Sequence, residues 1–191
     1  MKKYIATVWA IAALTVMVST VRTSNAEAQL FSHPSLDFQT LTTKLSTPED
    51  LAKYMWRNFR YENDQSNFGK AEYWQSPEEF MENKAGDCED FALFASEILK
   101  QQGKKTFLLN IYGSGFAHTI CVFVENGKYN AMDGTDVKRI NANDLPSLMN
   151  EIYPQWKKGA IVAKAGKSNK GCILKKFERE AKIGRAFASS L

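Results

Sequence analysis

The chain is poor in the side chains from which active sites are most often built. Three cysteines and two histidines occur in 191 residues. No two of them have the spacing of a zinc site, and no metalloprotease motif is present, which argues against zinc chemistry. No EF-hand loop occurs either. No internal repeat is visible, so a solenoid is excluded. The one extended apolar run, Tyr4 to Val18, is about 15 residues long, short of the roughly 18–20 that span a bilayer. An odd number of cysteines leaves at least one thiol outside any intramolecular disulfide.

What is present suits a single globular core. The composition is 44% hydrophobic and 12% aromatic, ordinary for a folded domain and too little chain for two. Lys2 and Lys3, the apolar run, and the small residues around Ser24–Asn25–Ala26 and Ala26–Glu27–Ala28 have the layout of a secretory signal peptide, residues 1–28. Cleavage after either Ala26 or Ala28 fits that pattern. Export, to a periplasm or to the medium, is therefore expected. Residues 29–46 read as a polar lead-in, 47–155 as the main domain and 156–191 as a basic extension.

Net charge is +4, but it is unevenly placed. Residues 27–154 hold twelve basic and nineteen acidic side chains, whereas residues 155–191 hold ten basic and two acidic ones. An acidic body with a basic tail is not the pattern of a nucleic-acid-binding fold. The tail is suited to weak contact with an envelope or membrane surface, or with the body itself.

Thr47–Pro48–Glu49–Asp50 and Ser76–Pro77–Glu78–Glu79 are helix starts, each with a capping hydroxyl, a proline in the first turn and an acid three residues after the cap. The first helix is expected to end near Tyr61, with 63–69 a polar loop. A third helix starts at Asp87 and is apolar on a broad face, so it should be central; Gly103 stops it. Extended runs follow at 106–112, 118–125 and 128–133, the last two joined by the hairpin signal Asn126–Gly127. A short helix opens at Asn143–Pro146, a further strand at 159–164, and a basic helix is expected over 172–189. Helices first and an antiparallel sheet after them make an α+β domain.

Cys88 sits in Gly86–Asp87–Cys88–Glu89–Asp90–Phe91–Ala92, in the first turn of the central helix. Helix-terminal N–H groups there favour a thiolate, and the Cys88 N–H is placed to meet an oxyanion. The flanking acids oppose the thiolate, so a cationic partner is needed. His118 opens a strand and fills that role. Strand alternation turns Cys121 to the other face. Asp133 pairs close to His118 across the hairpin and can fix its tautomer; Asp136 is the alternative.

The run Gly86–Ala92, Ala117–His118 at a strand start, and Met132–Asp133–Gly134–Thr135 together resemble the Cys, His and Asp motifs of transglutaminase-like domains. The stretch from Trp74 to Asp90 is most similar to bacterial transglutaminase-like cysteine proteinases, and the resemblance extends from about Thr47 to Asp136. It implies a papain-like core and acyl transfer through a thioester on Cys88, with a protein or peptide substrate such as a surface or envelope protein. It also implies an indole, amide or phenol upstream of the cysteine as oxyanion donor: Trp74, Gln75 or Tyr61. By analogy Asp87 and Glu89 are calcium ligands, against the plainer reading as helix-start caps; no cofactor is otherwise required. Hydrolysis, amine cross-linking and a non-catalytic binding module remain three distinct outcomes. A Cys121–Cys172 disulfide is a further option for an exported chain.

Overall fold

The computed structural model describes residues 38–179. The expected signal peptide, the lead-in up to residue 37 and the tail from 180 onward lie outside the described residues.

Among the described residues five helices precede the first strand of the large sheet. Helix α1 spans Phe38–Lys44 and α2 spans Pro48–Asn58. Thr47 caps α2, its hydroxyl accepting from the Asp50 N–H at 3.0 Å. The helix stops three residues earlier than expected. Phe59 turns extended there, and Arg60–Tyr61 (β1) pairs in parallel with Ala85–Gly86 (β2). The stretch read as a loop contains a short helix, α3 (Asp64–Phe68), capped by Asn63 and ended by left-handed Gly69. Helix α4 is Pro77–Asn83, with Ser76 and Glu79 in a reciprocal capping box.

The central helix α5, Cys88–Gln101, packs on a six-stranded antiparallel sheet. Its strands are β3 (Lys105–Gly113), β4 (Ala117–Glu125), β5 (Lys128–Asp133), β6 (Asp136–Ala142), β7 (Trp156–Lys164) and β8 (Gly171–Glu178), with helix α6 (Leu145–Ile152) between β6 and β7. The spatial order is β6-β5-β4-β3-β7-β8. This is the α+β architecture that the order of elements predicts.

Alternation along the strands divides the core into two layers. Leu108, Cys121, Phe123, Met132 and Val162 face α5, where Phe59, Phe80, Phe91 and Phe94 form a knot of edge-on and tilted rings. Leu109, Ile111, Ile120, Val122 and Ala131 face α6. Leu41 is buried and the Phe38 ring meets Phe94, so residues 38–44 belong to this core.

Two expectations need correction. Residues 171–178 form an edge strand and not the start of a basic helix. Leu174 and Phe177 do have helical spacing, but β7 offers a free row of backbone groups, and the turn closed by Ala165 N–H to Lys170 O at 2.8 Å returns the chain against it. Tertiary pairing outweighs local propensity here. The basic region from Trp156 to Arg179 therefore completes the sheet. The Cys121–Cys172 disulfide is also ruled out: all three cysteines are free, and β4 and β8 are three strands apart. At about 4.8 Å per strand that is roughly 14 Å, twice the reach of a disulfide.

Candidate active site

At one end of the sheet, the start of β4, the end of β5 and the start of α5 meet around a cleft of about 460 Å³. Cys88, His118 and Asp133 all line it, with Tyr61, Trp56, Phe91 and the turn Gly134–Asp136.

The β4–β5 hairpin sets the sheet side. Cys121 pairs with Met132, which brings Asp133 diagonally opposite His118. His118 Nε2 lies 2.7 Å from Asp133 Oδ1. The other carboxylate oxygen, Oδ2, accepts the Tyr153 hydroxyl at 2.6 Å. Burial opposes the charge on Asp133, but the hydrogen bonds from His118 and Tyr153 outweigh it and hold the carboxyl below its ordinary range. Tyr153 ends α6 and its ring stacks against Phe116, with the His118 ring 5.7 Å away. Burial and the Asp133 carboxylate push the Tyr153 phenol far up, so it acts as a fixed donor.

The helix side is set by a buried network beneath the cysteine. Asp90, 1% exposed, accepts from the Gln75 N–H at 2.9 Å, from Gln75 Nε2 at 2.6 Å and from the Asp87 N–H at 3.3 Å. Gln75 Nε2 also donates to Ala85 O at 2.8 Å. Gly86 is required at this bend, since a Cβ there would lie 2.2 Å from Asp90 Oδ2. These contacts pin the chain just before Cys88.

Of the three oxyanion candidates, only Tyr61 lines the cleft. Its phenol is raised to about 12, first by burial and then by the charges of Cys88, Asp87 and Glu89. Gln75 is buried with its amide spent on Asp90 and Ala85. Trp74 is buried against Gly171 and its indole donates to Glu72.

Cys88 itself is pushed up to about 12, chiefly by burial and then by Glu89, while a backbone hydrogen bond from Thr119 favours the thiolate. The thiol donates to Glu89 Oε2 at 3.2 Å. Asp64, Asp87, Glu89 and Asp90 crowd behind it. Burial and neighbouring carboxylates raise Asp64 to about 6 and Asp90 to about 7, and raise Glu89 as well. Asp64 Oδ1 and Asp87 Oδ1 are buried without a hydrogen-bond partner. Ligand atoms of Asp64, Asp87 and Asp90 lie within 4.8 Å of one another, as do those of Asp64, Glu72 and Glu89. Orphaned carboxylate oxygens gathered in this way fit a hard, oxygen-preferring cation.

A family model described as a transglutaminase-like domain matches residues 33–139. The chain belongs to that family. Among solved structures, this transglutaminase-like chain is similar to Legionella pneumophila LapG in its calcium-bound form (19% identity, 82% of this chain and 88% of that one, TM-score 0.49). The EGTA-treated form of LapG gives 20% identity, 73% and 83% coverage, and a TM-score of 0.48. No curated protein sequence matches.

Two residues of this transglutaminase-like site escaped sequence reasoning. Tyr153 lies twenty positions after Asp133, beyond any local pattern. Asp64 sits in a stretch that reads as a loop, yet it is 3% exposed and accepts from the Tyr73 N–H. A carboxylate at the first position of a capped helix was its only sequence signal.

Proposed function

We propose that this transglutaminase-like chain is an exported cysteine peptidase that hydrolyses peptide or isopeptide bonds of a protein substrate through a Cys88 thioester. The observation that carries the reading is the 2.7 Å His118–Asp133 hydrogen bond in a cleft that Cys88 also lines. His118 takes the Cys88 proton as the sulfur attacks the substrate carbonyl. The carbonyl oxygen, becoming an oxyanion, is met by the Cys88 N–H and the Tyr61 hydroxyl. Collapse expels the amine, which leaves with the proton from His118. Water, deprotonated by His118, then cleaves the thioester and frees the acid and the thiol. Asp133, held from behind by Tyr153, keeps the imidazole in one orientation and supports its charged form.

The acids around Cys88 set a condition on that chemistry. Asp64, Asp87 and Glu89, with Glu72 and Asp90 beside them, would hold a divalent cation such as calcium. When bound, the ion supplies positive charge that offsets the acids opposing thiolate formation at Cys88. LapG, whose structures include a calcium-bound form, is a precedent for that ion. Export rests on the Lys2–Ala28 sequence pattern.

The test is the pH dependence of Cys88 alkylation in a Cys121→Ser/Cys172→Ser background with calcium, with and without His118→Ala. Rapid alkylation persisting well below the free-thiol pKa of about 8.5, and lost with His118, is expected. Alkylation that tracks an ordinary thiol and ignores His118 would sink the reading.

A further inference from the structure

The edge strand β8 has no part in the chemistry above. Among the described residues four large apolar side chains are exposed: Trp56 and Tyr61 at the cleft, and Ile173 and Leu174, 48% and 65% exposed, on β8. The second pair sits in the most basic part of the fold. Residues 156–179 contain eight Lys or Arg and one acid, Glu178. That acid pairs with Lys158 at 3.1 Å, while Lys175 and Lys176, which directly follow Leu174, are exposed and have no ion pair among the described residues. A register shift between Ile161 and Val162 puts Leu174 in a bulge, out of the ladder. Ile173 and Leu174 are thus exposed at the outer edge of the sheet, next to Lys175 and Lys176.

We propose that the β8 edge docks this chain on an anionic lipid surface. Exposed aliphatic side chains with unpaired lysines beside them suit a bilayer surface, which offers anionic headgroups over hydrocarbon. Other occupants fit less well. A nucleic acid would satisfy the lysines and leave the aliphatic pair in water. A second copy would bring one strongly positive strip against another. The chain's own residues 180–191 add Lys182 and Arg185, of the same sign. The topology also suits the arrangement. Strand β8 lies three strands from β4, about 14 Å from the strand that carries His118, so docking leaves the cleft open. The proposal does not depend on the peptidase reading.

The experiment is co-sedimentation of the full chain with phosphatidylcholine vesicles and with vesicles one-third phosphatidylglycerol (about one anionic lipid in three). The apolar run at the N-terminus contributes to both, so the readout is the increment on anionic vesicles. The expected result is a clear increment that shrinks as salt rises. Lys175→Glu/Lys176→Glu should lower it by at least about tenfold. Ile173→Ser/Leu174→Ser should lower total binding while the salt dependence persists. Both variants should keep wild-type Cys88 alkylation, which shows that they fold. An increment unchanged in the charge-reversed variant would overturn the proposal. So would a change in the chain's sedimentation without lipid and none with it, which would assign the edge to a second copy.

Discussion

On the sheet wall of the cleft both carboxylate oxygens of Asp133 have partners, whereas on the helix wall Asp64 and Asp87 each bury an oxygen that has none. The first wall is complete as protein alone: imidazole, carboxylate and phenol satisfy one another. The second concentrates acids around Cys88, the proposed nucleophile, and burial and like charge raise Cys88, Glu89, Asp64 and Asp90 together. Like charges gathered out of water cost free energy unless something compensates them. On the proposed reading the sheet wall carries the chemistry and the helix wall takes the cation. Losing a sheet-wall residue should cost rate at any cation level, while losing a helix-wall acid should matter through the cation.

The largest effects are expected at Cys88 and on the sheet wall. Asp133→Asn keeps the shape but frees the imidazole to take the wrong tautomer, and should lower peptide hydrolysis on the order of 10³–10⁴-fold. Cys88→Ala should remove hydrolysis altogether. A steady-state assay on an envelope-protein or peptide digest reads both. Residual turnover within about tenfold of wild type in Asp133→Asn would move the orienting role to Asp136, which lines the same cleft.

Next in size is the response of the helix wall to calcium. A ligand at 100 times its Kd stabilises by about 2.7 kcal/mol. Calcium should therefore raise the melting temperature of the wild type by several degrees and speed Cys88 alkylation. Asp64→Asn should lose most of both effects while keeping the fold. Equal calcium shifts in wild type and variant would show that the ion binds elsewhere.

Tyr153→Phe should act more weakly. It removes one donor from a half-buried carboxylate, a loss of about 1–3 kcal/mol of local interaction, and should slow hydrolysis roughly tenfold with little change in KM. A purely structural role would leave the pH profile alone. Loss of the donor should instead shift the acid limb, because Asp133 then holds its charge less well.

Local chemistry explains what was legible beforehand. The caps at Thr47 and Ser76, the Asn126–Gly127 turn and the start of α5 are each written within four residues, and the hairpin turn alone fixes how Asp133 meets His118. What was illegible depends on long-range pairing. Strand β6 carries three charges, Asp136, Lys138 and Arg139, and a left-handed Asn141, and it is a strand because β5 supplies its ladder. Strand β8 had helical spacing and was overruled by β7. Gln75 looked like a free amide near the cysteine, but only the fold shows that Asp90 and Ala85 consume it. Tyr153 reaches Asp133 because α6 docks on the far face of the sheet, which no sequence pattern near either residue announces.

The smallest expected effect separates the two walls by sign. Asp133 has a lowered pKa, so its contribution to stability is present above the unfolded value near 4 and is lost as pH falls through the folded one. Asp64, raised to about 6 by burial and by Asp87, does the reverse. Its contribution is complete below about 4 and is lost as pH rises through about 6. In chelator, the wild-type melting temperature should therefore decline from about pH 5 to pH 7, and Asp64→Asn should lessen that decline because its amide does not ionise, leaving the part carried by Asp90, raised to about 7, and by Glu89. Calcium should flatten it too, by giving the ionised carboxylate a partner. Asp133→Asn should leave the decline in place and alter stability only at more acid pH. Thermal melts of the three proteins across that range, with and without calcium, decide it: a decline undiminished in Asp64→Asn would mean that Asp64 is not among the groups that give up a proton there.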